Sequence, residues 1–156
     1  MDARNADAGR ELIITRIFDA PRALVWKAFT EPKHLKHWLG PRGFKASDLS
    51  GEVRPGGKWR SRIRSRDRDL WQGGEYLEVE EPKRLVYTFA WEDGGGNPTH
   101  KTTITVTFEE RGGKTHMTFR QGMFETVDSR DGHGEGWNST FDRLAKHLAE
   151  MRRQAA

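Results

Sequence analysis

The 156-residue chain carries 27 lysines and arginines against 23 aspartates and glutamates, has no cysteine, and is 34% apolar, with six Trp, eight Phe and two Tyr. A chain of this length suits one domain that buries roughly two-thirds of its unfolded surface, with rings of roughly 150–250 Å² each filling much of the core. Disulfide scaffolds and spans of the roughly 18–20 apolar residues that cross a bilayer are excluded, no secretory leader stands at the start, and the net charge of +4 is mild, so a soluble, cytoplasmic protein is expected.

Residues 1–10 are polar and aperiodic, which predicts a flexible N-terminus and a single domain over 11–153. ELIITRIFD is dense in β-branched and aromatic residues and reads as a strand that Asp19-Ala20-Pro21 ends. A helix starts near Pro21, with Leu24, Val25, Ala28 and Phe29 on its apolar face, and Glu31-Pro32 restarts the chain into a second short helix carrying Leu35, Trp38 and Leu39. Gly40-Pro41 stops it. Six strands follow without an intervening helix: Asp48–Arg54, Lys58–Ser65, Leu70–Glu78, Arg84–Trp91, Lys101–Glu109 and Lys114–Gln121, separated by Gly- and Pro-rich turns that favour antiparallel hairpins. From about Glu135 to Arg152, Trp137, Phe141, Leu144, Leu148 and Met151 recur at spacings of three and four, the pattern of a long amphipathic helix. Asp131-Gly132-His133-Gly134-Glu135-Gly136 reads as a flexible lead-in to it.

The order β, α, α, six β, α predicts an α+β fold in which a curved seven-stranded antiparallel sheet wraps around the terminal helix, with a cavity between them. Period-2 alternation turns Trp59, Ser61 and Ile63 inward and Arg60, Arg62 and Arg64 outward. By the same rule Tyr87, Phe89 and Trp91 share an inner face, as do Val106 and Phe108, and Met117, Phe119 and Gln121. Aromatic rings with a few polar groups on a concave sheet suit either a filled core or an apolar pocket that orients a small ligand.

Sharper chemistries have weaker support. His133 and Glu135 suggest an acid/base pair at the cavity mouth, but no nucleophile accompanies them, and solvated loop residues account for both. His34 and His37 stand three apart on one short helix without a third ligand at a useful spacing, so surface histidines are expected and no metal. Arginines at 60, 62, 64, 66 and 68 resemble a phosphate-contacting stripe, yet Trp59 lies on the opposite face and Asp67, Asp69 and Glu75 dilute the charge; no nucleic acid is expected. No catalytic residues and no cofactor are assigned.

ITRIFDAPRALVWKAFTEPKHLKHWLGP, EVRPGGKWR, GEYLEVEEPKRLVYTFAW, the TITVTFEERGGKTHMTFRQ hairpin and GWNSTFDRLAKHLAE, in that order over about Glu11 to Glu150, resemble the activator of heat-shock-protein-ninety ATPase family. That family belongs to the START-like, or SRPBCC, superfamily of helix-grip folds. The resemblance implies a hydrophobic cavity between sheet and C-terminal helix, and relatives that bind lipids, sterols, polyketides or plant phenolics. It also implies a chaperone as an alternative partner. A monomer or weak dimer without stable membrane insertion is expected. Of the matching positions, Trp38 and Trp137 are expected to reach the cavity, with Phe141 one turn beyond Trp137. The ligand is expected to pass between the second short helix, acting as a lid around Trp38, and the hairpin turns.

Overall fold

The computed structural model describes residues 9–155, so the flexibility expected of residues 1–8 lies outside the described residues. Residues 9 and 10 are tied down: the Phe124 N–H donates to the Arg10 carbonyl at 3.0 Å, and the Arg130 guanidinium donates to the Gly9 carbonyl.

The chain runs through β1 (Leu12–Phe18), α1 (Arg22–Thr30), α2 (Pro32–Trp38), β2 (Lys45–Gly51), β3 (Lys58–Arg64), β4 (Asp69–Glu80), β5 (Arg84–Trp91), β6 (Thr102–Arg111), β7 (Lys114–Gly122) and α3 (Val127–Ala155). The seven strands form one antiparallel sheet in the order β1-β7-β6-β5-β4-β3-β2, the helix-grip arrangement. Hairpins join neighbours from β2 to β7, while α1 and α2 carry the chain from β1 at one edge to β2 at the other.

Each element follows from local chemistry. Pro21 sits at φ −67° ahead of α1, so its missing N–H costs no helical bond, and Pro32 opens α2 in the same way. Gly40, at φ +101°, turns the chain sharply after α2, a conformation most L residues avoid. In β4, a Cβ on Gly74 would lie 1.9 Å from the Thr88 carbonyl oxygen, so only glycine lets β4 and β5 approach just before their register shifts between Tyr76 and Glu78.

Two elements depart most from the sequence expectation, the other strand ends shifting by no more than two residues. β2 lies at Lys45–Gly51 rather than 48–54, because KASDLSG is polar on both faces and carries no alternation to read. It also bulges between Ser47 and Ser50, with Asp48 at φ +51°. The terminal helix starts at Val127, eight residues early, so the glycine-rich segment is helix and not a flexible lead-in. Thr126 caps it, its hydroxyl accepting from the Ser129 N–H at 3.0 Å, and Asp128 lies in the first turn.

At 1.5 Å per residue α3 is about 44 Å long and crosses the concave face of the sheet. Phe141, Leu144, Leu148 and Met151 are buried beneath it. Phe119 of β7 packs edge-on against Phe141 at 5.2 Å between centroids, and Phe29 of α1 meets Phe108 of β6 at 5.2 Å. This half of the molecule is solid core. No helix of the described residues is long and apolar enough to cross a membrane.

Candidate ligand-binding cavity

Away from that packed half, the first turns of α3 stand off from β3, β4 and β5 and leave a cavity of about 360 Å³. Leu39, Gly40, Pro41 and Phe44 close one side; Ile63, Leu70, Gln72, Phe89 and Trp91 form the sheet wall; Ser129, Gly132, His133, Gly136, Trp137 and Thr140 form the helix wall. Positions 132, 136 and 140 succeed one another at one-turn intervals along the same helix face. A Cβ placed on Gly132 or Gly136 meets no heavy atom within 4 Å, so the missing side chains are what create the space. Gly134 faces the other way, against Leu12. A second, smaller cavity of about 60 Å³ lies toward α2, shares Leu39, Gln72, Phe89 and Trp137 with the first, and is lined further by Trp38, Trp59, Ser61, Tyr76 and Tyr87.

The structure divides the expected lining residues into two groups. Trp38, Trp59, Ser61, Ile63, Tyr87, Phe89, Trp91 and Trp137 border one or both cavities. Val106, Phe108, Met117, Phe119, Gln121 and Phe141 border neither; α1 and the middle of α3 press directly on β6 and β7 and fill that region with side chains. Gln121 instead braces the wall: its carbonyl accepts from the Trp137 indole at 2.8 Å and its amide donates to the Thr102 hydroxyl at 3.0 Å. Trp38 is also corrected in its role. It borders the small cavity but is 1% exposed, packs against Phe29 at 5.0 Å and donates its indole N–H to the Ala28 carbonyl at 3.0 Å, so it anchors α2 to α1 and is no loosely held gate.

The indole N–H groups of the walls are already used. Trp59 donates to the Thr88 carbonyl at 3.1 Å, and Trp91 to Nε2 of His133 at 3.1 Å. Tryptophan thus presents ring faces to the interior, and the polar groups on the walls include the buried Ser61–Gln72 pair, bonded at 3.0 Å, the Tyr76 and Tyr87 phenols, His133 and, at the exposed edge, Arg68. Burial pushes both phenols up, Tyr76 to about 12, so they stay protonated donors. Burial also pulls His133 below the ordinary imidazole value. Since an indole only donates, Nε2 of His133 accepts and Nδ1 carries the proton.

His133 and Glu135 do not come together as an acid/base pair, and of the expected surface histidines His37 is exposed and His34 half-buried. Glu135 is exposed on α3 while His133 faces the cavity, because neighbours two apart on a helix diverge by about 200°. His34 and His37 meet a third histidine, His147 of α3: Nδ1 of His34 lies 3.0 Å from Nε2 of His147, and His37 stacks on it at 4.9 Å. His34 and His147 thus spend nitrogens on each other, and among the described residues no group of three His, Cys, Asp or Glu is disposed to hold a metal ion. On the outer face of the sheet, Arg60 pairs with Glu92 at 2.7 Å and Arg62 with Asp69 at 2.8 Å. Both guanidiniums lie over Trp71, an outer-face aromatic that the sequence reading passed over.

Comparison with known proteins agrees with this fold. The family model for activator of Hsp90 ATPase homolog 1-like protein matches residues 19–149. A crystal structure from Nitrosomonas europaea is 28% identical, covering 94% of this chain and 99% of that one, with a TM-score of 0.79. The AHSA1 protein of Silicibacter pomeroyi shares the fold at 20% identity, over 90% and 99% of the two chains, with a TM-score of 0.82. A solution structure from Arthrobacter aurescens gives 24% identity, 92% and 88% coverage, and a TM-score of 0.83. No curated protein matches.

Proposed function

The chain belongs to the activator of Hsp90 ATPase homolog 1-like family, within the START-like helix-grip folds, and from that premise we propose that it binds a small hydrophobic or amphipathic molecule between α3 and the sheet. The observation that carries this is the cavity of about 360 Å³ held open by Gly132 and Gly136. That volume falls in the roughly 300–1,000 Å³ range of small-molecule sites, and an apolar wall with a few fixed polar groups is the usual composition of such a site. The guest displaces water from Phe89, Trp91, Trp137 and Ile63, which favours binding by roughly 25 cal/mol per Å² of apolar surface covered. Ser61, Gln72, Tyr87 and His133 set its orientation.

Titration with decanol, followed through tryptophan emission, tests the proposal. Saturable one-to-one binding that a Gly136→Leu variant abolishes is the expected result; non-saturable partitioning, or binding indifferent to Gly136→Leu, would overturn it. The competing reading, a surface that acts on a chaperone, rests on the family's description. The same purified protein added to an Hsp90 ATPase assay tests that reading, and a raised ATPase rate would favour it.

A further inference from the structure

Charge around the two cavities is one-sided. Among the described residues that line them, the ionisable groups besides the tyrosines are Arg60, Arg68 and His133, and no carboxylate is present. Arg60 is spent, bonded through two nitrogens to Glu92 at 2.7 Å each and stacked on Trp71. His133 is held neutral by burial while its Nε2 accepts from Trp91. Arg68 differs from both. It is exposed on the β3–β4 turn at the rim of the larger cavity and makes no salt bridge with any described residue. Its neighbour Asp69 is committed to Arg62.

The backbone of this residue is fixed even though its guanidinium is free. The Ser65 N–H donates to the Arg68 carbonyl at 2.8 Å, and the Arg68 N–H donates to the Ser65 hydroxyl at 3.1 Å. The turn therefore places the Arg68 guanidinium where the apolar cavity meets water, while its other charged residues, Arg66 and Asp67, line neither cavity. A planar guanidinium binds a carboxylate with two parallel N–H donors, and at a rim the carboxylate keeps part of its hydration while its tail is buried. Building on the ligand-binding reading above, we infer that the guest is a monoanionic amphipath, its carboxylate paired with Arg68 and its apolar body lying between Gly132/Gly136 and the Phe89–Trp91 wall.

Decanoate and decanol, of equal chain length, separate this inference from the reading beneath it. At pH 7.5 and low salt the full chain should bind decanoate about five- to tenfold more tightly than decanol. Arg68→Gln should erase that preference and leave decanol affinity unchanged, whereas Arg64→Gln, on the exposed face of β3, should keep it. Equal affinities in the unsubstituted protein, or a preference that survives Arg68→Gln, would overturn the anionic assignment and leave the cavity reading standing. Saturable binding of neither probe would overturn both. Circular dichroism of each variant confirms that the fold is retained.

Discussion

Replacing Gly132 and Gly136 together by alanine should stabilise the protein while narrowing its cavity. Both positions lie inside α3, neither backbone is in the left-handed region, and an added methyl touches no heavy atom within 4 Å. Alanine is favoured over glycine in a helix interior by about 0.8–1 kcal/mol, so the pair is worth about 2 kcal/mol. For a chain of about 150 residues each kcal/mol moves Tm by about 2–4 °C, which puts the expected rise at about 4–8 °C. Gly134→Ala serves as an internal contrast, since its Cβ would come 3.1 Å from Cδ1 of Leu12 and part of the helical gain would be lost to that contact. Thermal unfolding followed by circular dichroism measures the shift, and the decanol titration measures the accompanying loss of affinity. A double variant that melts at or below the temperature of the unsubstituted protein would refute the argument, because it would mean that residues 132–136 are not stably helical.

Trp38→Ala should cost about 3–5 kcal/mol of stability in urea unfolding, as expected for a ring that is 1% exposed; a loss below 1 kcal/mol would restore Trp38 to the role of a loose gate. Gln121→Met should lower the unfolding free energy by about 1–3 kcal/mol, read as a lower urea midpoint at unchanged slope, because the Trp137 indole N–H loses its acceptor; an unchanged midpoint would show that the bond contributes nothing. Burial is the largest influence on His34 and His147, and it pulls both below the ordinary imidazole value. Their unfolded forms, with pKa about 6.5, therefore take up protons first, so stability is complete above about pH 6.5 and falls as pH drops from there through the lowered folded values. Two protonated rings would also face each other donor to donor at the 3.0 Å contact between α2 and α3. The urea midpoint should thus fall between pH 7.5 and 5.5, and less steeply in His34→Gln/His147→Gln; an equally steep fall in that variant would exclude the pair as the cause.

Much of the architecture was legible because apolar spacing records which face of an element is buried. Trp59, Ser61 and Ile63 alternate with arginines along β3, and the structure buries the first set against the interior. The start of α3 is hidden in the sequence because its glycines look like a loop, although Thr126 and Asp128 carry a capping signal. The lining set was only partly legible. Inward-facing residues of β3 and β5 border empty space, while equally inward Val106, Met117 and Phe119 of β6 and β7 meet α1 and α3. Alternation tells in from out and is silent on the distance to the opposite wall. The His34–His147 contact spans 113 residues, and no local pattern encodes it.

By itself, the order of residues determined the succession of strands and helices, the antiparallel sheet and the inner face of each strand, because hydrophobic periodicity and turn chemistry act over a few residues. Tertiary structure alone decided where the interior stays open, which tryptophan anchors and which ones face the larger cavity, and that Arg68 at its rim makes no salt bridge with any described residue. Those outcomes depend on the separation between surfaces remote in the chain, and that separation is set by packing: aromatic rings fill one half of the helix–sheet space, and glycine leaves the other half empty.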